Sequence, residues 1–511
     1  MNKYLTLFQL EHNYPKPVTL ANLLTHTGGF DNVGIGQVAR KESAVVPLGK
    51  YLSKHMPRRV MPPGEVMSYS NHGMALAGYL VEVIAGVPFA QYIDENILKP
   101  LGMNHSSFLL PAHLAPDLAV GYELNFFHER KPVPFDYFNI GPAGALNATA
   151  NDMAQFMIAH LQNGRHGDTR ILQEDTAKEM HRRHFTHHPL MAGMAYGFLE
   201  SVRNNQRAIW HNGGWFGFYS LLYLLPEQNL GFFLAVNNLE QGSQLESQLI
   251  KEFMDHYYPV RENMVPPQPL ADSVKRVKRF EGTYRNTRYS RHEITKFFAA
   301  LAGEVRLKAD SGSVLTRYDF GNSEPTRWVE VEPLLFQRID KKRYMAFRED
   351  AKDHITFMLG EGVSFERVAH IESASFHLRT IDAFEALVQA ACAFMQEPLK
   401  DGARAQLARQ VACLAGVSNL AMAYGFISLL IPHTKDLAYG MPRSLSLLTK
   451  VSLLTTTLAV ALPLFSVITW INGDWTFEKR VFYSVVALAT LGFSAELYYW
   501  NVMNFDLFCF C

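Results

Sequence analysis

Hydrophobic and polar positions change rhythm most sharply between Pro62 and Gly86, PPGEVMSYSNHGMALAGYLVEVIAG. Pro62, Pro63 and Gly64 break the chain, and the polar triplet Tyr69-Ser70-Asn71 follows. Met74, Leu76, Ala77, Leu80, Val81, Ile84 and Ala85 then recur at roughly helical spacing up to Gly86, a natural stop. The pattern predicts a buried helix with the triplet on a loop clamped to its start, a usual place for function.

Upstream, VTLANLLTHTGGF predicts a short helical turn, and Thr25-His26-Thr27 followed by Gly28-Gly29 predicts a tight backbone path close to other structure. Tyr51 to His55 reads as helical, and Pro88 opens a second helix, FAQYIDENIL. Gly141, Gly144 and Ala145 form a close turn, after which Thr149 caps a helix from Ala150 to Gln162 that buries Met153, Phe156, Met157 and Leu161. From 194 the period changes. AYGFLESV, AIWHNGGWFGFYSLLYLLP and NLGFFLAVNN predict adjacent antiparallel strands, with a helix from Ser243 to Tyr257 packed back across them. Met264 to Pro269 is a linker by composition, and residues 275–370 contain short β segments of a small all-β domain.

The last hundred or so residues differ in kind. Val411 to Ile431 and Val451 to Ile471 carry no charge, and each would span about 31 Å as helix. Val481 to Trp500 contains only Glu496, and its Trp500 and neighbouring tyrosines fit an interfacial belt. Three such runs predict transmembrane helices. Phe376 to Met395 carries Arg379, Asp382 and Glu385 against an apolar face of Ile381, Phe384, Leu387, Val388, Ala391, Cys392 and Met395. It reads as an interfacial amphipathic helix, with a degenerate fourth span as the rival. Lys435, Arg443 and Lys450 between the first two spans outnumber Lys479 and Arg480 between the next two. That balance puts the first loop in the cytoplasm and the large N-terminal part on the extracytoplasmic side.

Lys plus Arg and Asp plus Glu are both 48, so nothing points to nucleic acid. Cys392, Cys413, Cys509 and Cys511 all lie in the C-terminal part, which leaves the remainder without a thiol for a disulfide, a zinc site or a Cys nucleophile. His181, His184, His187 and His188 lack nearby carboxylates or thiols and read as a solvated basic loop rather than a metal site. The N-terminus, MNKYLTLFQLEHNYPKP, has neither the pattern of a signal peptide nor the look of a domain opening.

A second polar cluster, His211-Asn212-Gly213-Gly214, interrupts an apolar strand pattern, where glycines suggest a close approach to the backbone. Four stretches in order, LLTHTGG, YSN, GALNATANDMAQFM and HNGGWFGF, resemble the β-lactamase-related serine hydrolases: class C β-lactamases, D-alanyl-D-alanine carboxypeptidases, esterases and D-aminopeptidases. The resemblance covers about residues 5–260. It implies an α/β serine β-lactamase-like fold with an antiparallel sheet and helices, and hydrolysis of an amide or ester through an acyl-serine without metal or organic cofactor. Tyr69 would be the acid/base group, provided that nearby cations favour phenolate, and Asn71 would position the acyl side. His211 would line the opposite wall. Gly213 completes His-x-Gly, and the N–H of Gly214, just past it, would be an oxyanion donor on an edge strand. Small esters, D-amino-acid peptides or cell-wall fragments are the implied substrates.

One departure stands out. The family's nucleophile is the serine of Ser-x-x-Lys, and no Ser-x-x-Lys occurs in these 511 residues; only 24 precede Thr25. Ser70 occupies the motif's variable middle and has no lysine one helical turn away. The expected architecture is therefore an incomplete hydrolase domain over 1–262, a linker over 263–274 and a β-rich domain over 275–370. An amphipathic or degenerate membrane helix over 376–396 and spans over 411–431, 451–471 and 481–500 complete it. The expected protein is a multi-pass, membrane-anchored hydrolase relative, inactive as given. The alternative is a non-catalytic binding or sensor protein whose cleft takes a peptide or glycan.

Overall fold

A computed structural model of the chain describes residues 1–503 except 126, 128, 261–265, 299–302, 311, 322–323 and 396–401. The linker residues Asn263, Met264 and Val265, Gln396 at the end of the predicted amphipathic helix, and Cys509 and Cys511 lie outside the described residues. The chain divides into two compact units. The first comprises Met1–Val33, Gln37–Arg288 and Val305–Arg367; the second comprises Gly34–Gly36, Tyr289–Glu304 and Val368–Cys511.

In the first unit, α1 (Leu20–Leu24), α2 (Leu48–His55) and α3 (Asn71–Ala85) share a core that includes Leu23, Tyr51, Leu52, Leu76 and Leu80. Complete burial of one such leucine contributes about 1.5–3 kcal/mol. The helix after Pro88 is shorter than expected: α4 (Phe89–Ile93) passes into a π-turn over Asp94–Leu98. α5 (Ala150–Leu161) starts at its predicted Thr149 cap, and α6 (Glu174–His181) follows.

Four antiparallel strands, β1 (Leu199–Arg203), β2 (Gln206–Trp215), β3 (Phe218–Leu225) and β4 (Leu230–Val236), lie in the order β4-β3-β2-β1. Leu222 and Leu224 of β3 face Met153 and Met157 of α5. Their neighbours Leu221, Tyr223 and Leu225 face α7 (Leu239–Tyr257) through Met254. Cover on both faces explains why β3 reads as a continuous apolar run. α7 begins four residues before the predicted Ser243, because Asn238 caps it by accepting the Gln241 N–H.

The β segments close into an eight-stranded barrel of β5 (Gly282–Asn286), β6 (Glu304–Ala309), β7 (Val314–Asp319), β8 (Thr326–Glu332), β9 (Leu335–Arg338), β10 (Tyr344–Glu349), β11 (Ile355–Leu359) and β12 (Ser364–Val368). Val305 and Leu307 point inward while Arg306 and Lys308 are exposed, the period-2 alternation of a barrel wall. Phe280, Tyr284, Trp328, Phe336 and Phe347 fill the interior. Outside the wall, Leu335, Ala346 and Leu359 pack against Met61, Val66 and Met191. Arg348 also donates to the Glu65 carboxylate at 3.1 Å and its carbonyl at 2.7 Å. The barrel thus braces the loop that carries Tyr69.

The second unit contains α8 (Ala374–Met395), α9 (Ala403–Leu430), α10 (Arg443–Asn472) and α11 (Phe477–Tyr499). Among the described residues, α9, α10 and α11 are long and apolar enough to cross a membrane. Buried Ala408, Ala412 and Ala415 permit close packing, while Ser418–Thr455 and Ser466–Ser484 hydroxyl pairs, each at 2.7 Å, join neighbouring helices. Glu496, the charge noted in the third run, meets His377 of α8 at 2.6 Å.

Candidate functional site

The predicted site residues converge. Tyr69, Asn71, His211, Gly213 and Gly214 all line one cleft of about 1600 Å³ in the first unit. Ser70 accepts the Gly73 N–H at 3.0 Å and so caps α3, which fixes Tyr69 just before the helix and Asn71 as its first residue. Gly86, at φ 73°, ends the helix as expected.

The Tyr69 hydroxyl lies 3.4 Å from His211 Nε2. His211 Nδ1 sits 2.7 Å from the Asn212 carbonyl, which can only accept, so Nδ1 carries the proton and Nε2 accepts from Tyr69. Burial holds the His211 imidazole below its ordinary pKa. The phenolate condition requires correction. A cation is present, since the Arg288 guanidinium lies 4.4 Å from the Tyr69 ring centroid and draws its pKa down. Burial is the larger effect and raises it, so near neutral pH Tyr69 is a phenol that donates.

His26, within the THTGG stretch, is buried against Tyr69, a contact that its sequence position alone did not reveal. Its ring centroid is 3.9 Å from that of Tyr69, and its Nδ1 accepts the Ser70 N–H at 3.2 Å. Burial, with smaller contributions from His211 and Arg288, pushes its pKa down to about 3. His26 adopts φ 53°, an uncommon left-handed conformation for a non-glycine residue, stabilised locally by Ser68 N–H donation to its carbonyl. The paired glycines provide the predicted tight path: a Cβ on Gly29, at φ 72°, would lie 2.1 Å from the Met61 carbonyl oxygen.

Gly214 is not on an edge strand in the sense expected, because β2 is an inner strand. Its pairing with β1 stops at Trp210, however, and residues 211–215 run on beside β3 alone. Trp215 and Phe218 close the hairpin, so ladder alternation turns the Gly214 N–H toward the side that β1 leaves uncovered. The histidine stretch also departs from expectation. His184 stacks on Tyr196 with centroids 3.5 Å apart, and His181 is buried 2.9 Å from His160. His187 accepts the Met67 N–H at 3.2 Å and approaches Gly360 O and Ser364 Oγ of the barrel. These are structural histidines, not a solvated loop. Among the described residues no group of His, Cys, Asp or Glu is arranged to hold a metal ion.

Arg288 had no signal in the sequence. It follows β5, at the start of the barrel, and lines the cleft, where the Thr287 N–H bonds to Ser364 O and the Arg288 N–H to Asn286 Oδ1.

Residues 2–253 match the family model described as Beta-lactamase. The chain is 30% identical over 139 residues to the putative penicillin-binding protein PbpX of Bacillus subtilis, covering 27% of this chain and 34% of that protein. It is 24% identical over 266 residues to protein flp of Staphylococcus aureus, covering 50% of this chain and 51% of flp. The chain thus spans between a third and about half the length of these two curated relatives. Among solved structures, the octameric penicillin-binding protein homologue from Pyrococcus abyssi aligns with a TM-score of 0.43 and 20% identity, over 71% of this chain and 81% of that one. Residues 2–253 are a domain of the beta-lactamase family of serine hydrolases.

Proposed function

We propose that the first unit is an acyl-ligand cleft of the β-lactamase type, in which Tyr69 and His211 form the acid/base pair. Asn71 holds the acyl group, and Gly213 and Gly214 present backbone to the carbonyl. The observation that carries this reading is the 3.4 Å approach of Tyr69 Oη to His211 Nε2, made by motifs 142 positions apart. In that pair the phenol is the proton donor and the neutral imidazole the acceptor. A ligand carbonyl or leaving group entering the cleft would compete for that proton. The ligand class is a small ester, a D-amino-acid peptide or a cell-wall fragment.

The cleft lining includes serines but no lysine among the described residues, and no Ser-x-x-Lys occurs in the sequence. A serine without an adjacent base is a weak nucleophile at neutral pH. These 511 residues therefore bind an acyl ligand without forming an acyl-serine. α9, α10 and α11 anchor them in a lipid bilayer, with the cleft on the extracytoplasmic side. A fluorescent fluorophosphonate or penicillin, incubated with the purified chain in detergent and resolved by denaturing electrophoresis and intact mass, tests the chemistry. The expected result is no covalent adduct alongside reversible binding of the unreacted probe. A stoichiometric adduct on any serine overturns the reading of inactivity.

A further inference from the structure

The connection between α10 and α11 runs only from Gly473 to Thr476, yet two charged side chains at this end of the helices lack partners. Asp474 Oδ2 and Arg480 Nε are both shut off from solvent, and among the described residues neither has a hydrogen-bond partner. Among those residues no ion pair joins the two to each other or to a third group. Withdrawing such atoms from water without a partner is costly, and in a native fold they point to a bound molecule.

The surroundings indicate which kind. Ile471 is 77% exposed and Phe477 65%, so apolar side chains stand outward on both sides of the connection. The Arg480 guanidinium lies 4.8 Å from the Trp470 ring centroid, and the Trp470 indole N–H donates to Ser484 Oγ at 3.0 Å. Trp475 packs on Tyr483 with centroids 5.3 Å apart. Amphipathic rings beside a polar turn at the end of apolar helices mark the headgroup level of a bilayer. Arg404, at the start of α9, donates to Asn472 Oδ1 at 3.2 Å and is otherwise exposed, a second cation at the same end. A purely anionic headgroup would satisfy Arg480 and set a like charge beside Asp474. A free cation would do the reverse. A zwitterion satisfies both.

We infer that this turn is a headgroup site for a zwitterionic phospholipid with a primary ammonium, its phosphate on Arg480 and its ammonium on Asp474. Stacking on Trp470 leaves the in-plane N–H donors of Arg480 for phosphate oxygens. A primary ammonium brings three N–H donors to the Asp474 carboxylate, and a trimethylammonium brings none. Phosphatidylethanolamine is therefore selected over phosphatidylcholine, and over phosphatidylglycerol, which has no cation. The site goes beyond the acyl-ligand reading and rests only on the anchoring of α9, α10 and α11 in a bilayer.

Lipid competition tests it. The full chain in non-ionic detergent is mixed with equal amounts of dioctanoyl phosphatidylethanolamine, phosphatidylcholine and phosphatidylglycerol, and the retained lipid is read by native mass spectrometry. One phosphatidylethanolamine per chain is expected, preferred about tenfold over either competitor, as one charge-assisted contact predicts (roughly a factor of ten or more). Asp474→Asn brings the ratio to phosphatidylcholine to about one, Arg480→Gln weakens all three lipids, and Arg480→Lys restores part of the binding. Equal retention of the three lipids by the unaltered chain overturns the site, as does a preference that survives in both Asp474→Asn and Arg480→Gln. If the two side chains simply pair with each other, both variants lower the unfolding midpoint equally in every lipid and no lipid is preferred, which also overturns it. O-Phosphoethanolamine separates the sources: the soluble headgroup is expected to displace the lipid only in large excess, and displacement at matched concentration rejects a lipid site. Should a variant fail to fold, the preference of the unaltered chain decides. Flotation with vesicles after alkaline carbonate treatment tests the anchoring separately. A chain that does not float overturns the anchoring as well, whereas one that floats without lipid preference overturns the headgroup site alone.

Discussion

At the residue scale, the site was legible where chemistry and local backbone coincide. Tyr69 and Asn71 flank a serine that caps a helix, and His211 precedes two glycines in a strand, so each announces itself within a few positions. His26 and Arg288 do not. His26 matters because its ring meets Tyr69 43 positions later, and Arg288 because a loop at the barrel edge returns it to the cleft. Neither relation has a local period. Gly29 permits a clean test of the backbone path beneath Tyr69. Gly29→Ala incurs a left-handed φ penalty of about 1–2 kcal/mol and also places Cβ against the Met61 carbonyl. Gly36→Ala has a similar positive φ, 77°, but its Cβ would meet nothing within 4 Å. Thermal unfolding of both variants should show the larger loss for Gly29→Ala. Equal losses would mean that the close approach to Met61 contributes nothing.

At the scale of elements, patterning located α3, α5, the sheet and the strands of the barrel, because each buries one face with its own period. It missed what joins them. The register at which β1 ends sets the exposed half of β2, and no periodicity in β2 encodes that. The histidines between 181 and 188 read as polar surface because an imidazole does not reveal from sequence whether it is charged. In the fold, His160 and His181 join α5 to α6 as a neutral pair, each held down chiefly by burial, to about 3 and about 4 respectively. Their unfolded pKa is about 6.5. A histidine depressed in the fold stabilises fully above that value, and the stabilisation is lost as pH falls through 6.5 toward the folded pKa. Each imidazole then takes up a proton on unfolding, a slope of about 1.4 kcal/mol per pH unit. The unfolding midpoint of the first unit should fall steadily from pH 6.5 to 4.5. His160→Leu/His181→Leu should flatten that dependence, since the replaced pair no longer titrates. An unchanged slope in the double variant would assign the acid sensitivity to other buried histidines such as His72 and His26.

At the scale of the whole molecule, the question is which side of a membrane holds the cleft. Among the described residues three helices have the required length and hydropathy, and α8 lies beside them with His377 paired to Glu496 of α11. If α8 lies in the interface and the α9–α10 connection with Lys435 is cytoplasmic, residues 1–367 are extracytoplasmic and the α10–α11 connection faces the same side. If α8 also crosses, the cleft is cytoplasmic while both later connections keep their sides. Single-cysteine accessibility separates these arrangements. The native cysteines are replaced by serine, and Ser53→Cys, Thr434→Cys or Glu478→Cys is introduced singly, each at an exposed position. Intact cells are then treated with a membrane-impermeant maleimide. Labelling of Ser53→Cys and Glu478→Cys with protection of Thr434→Cys is the expected outcome. Protection of both Ser53→Cys and Thr434→Cys, with Glu478→Cys labelled, would make α8 a fourth span and place the cleft in the cytoplasm. Because an extracytoplasmic cleft meets ligands outside the cell and a cytoplasmic one meets metabolites, this one pattern of labelling also decides which pool could supply an acyl ligand to the cleft.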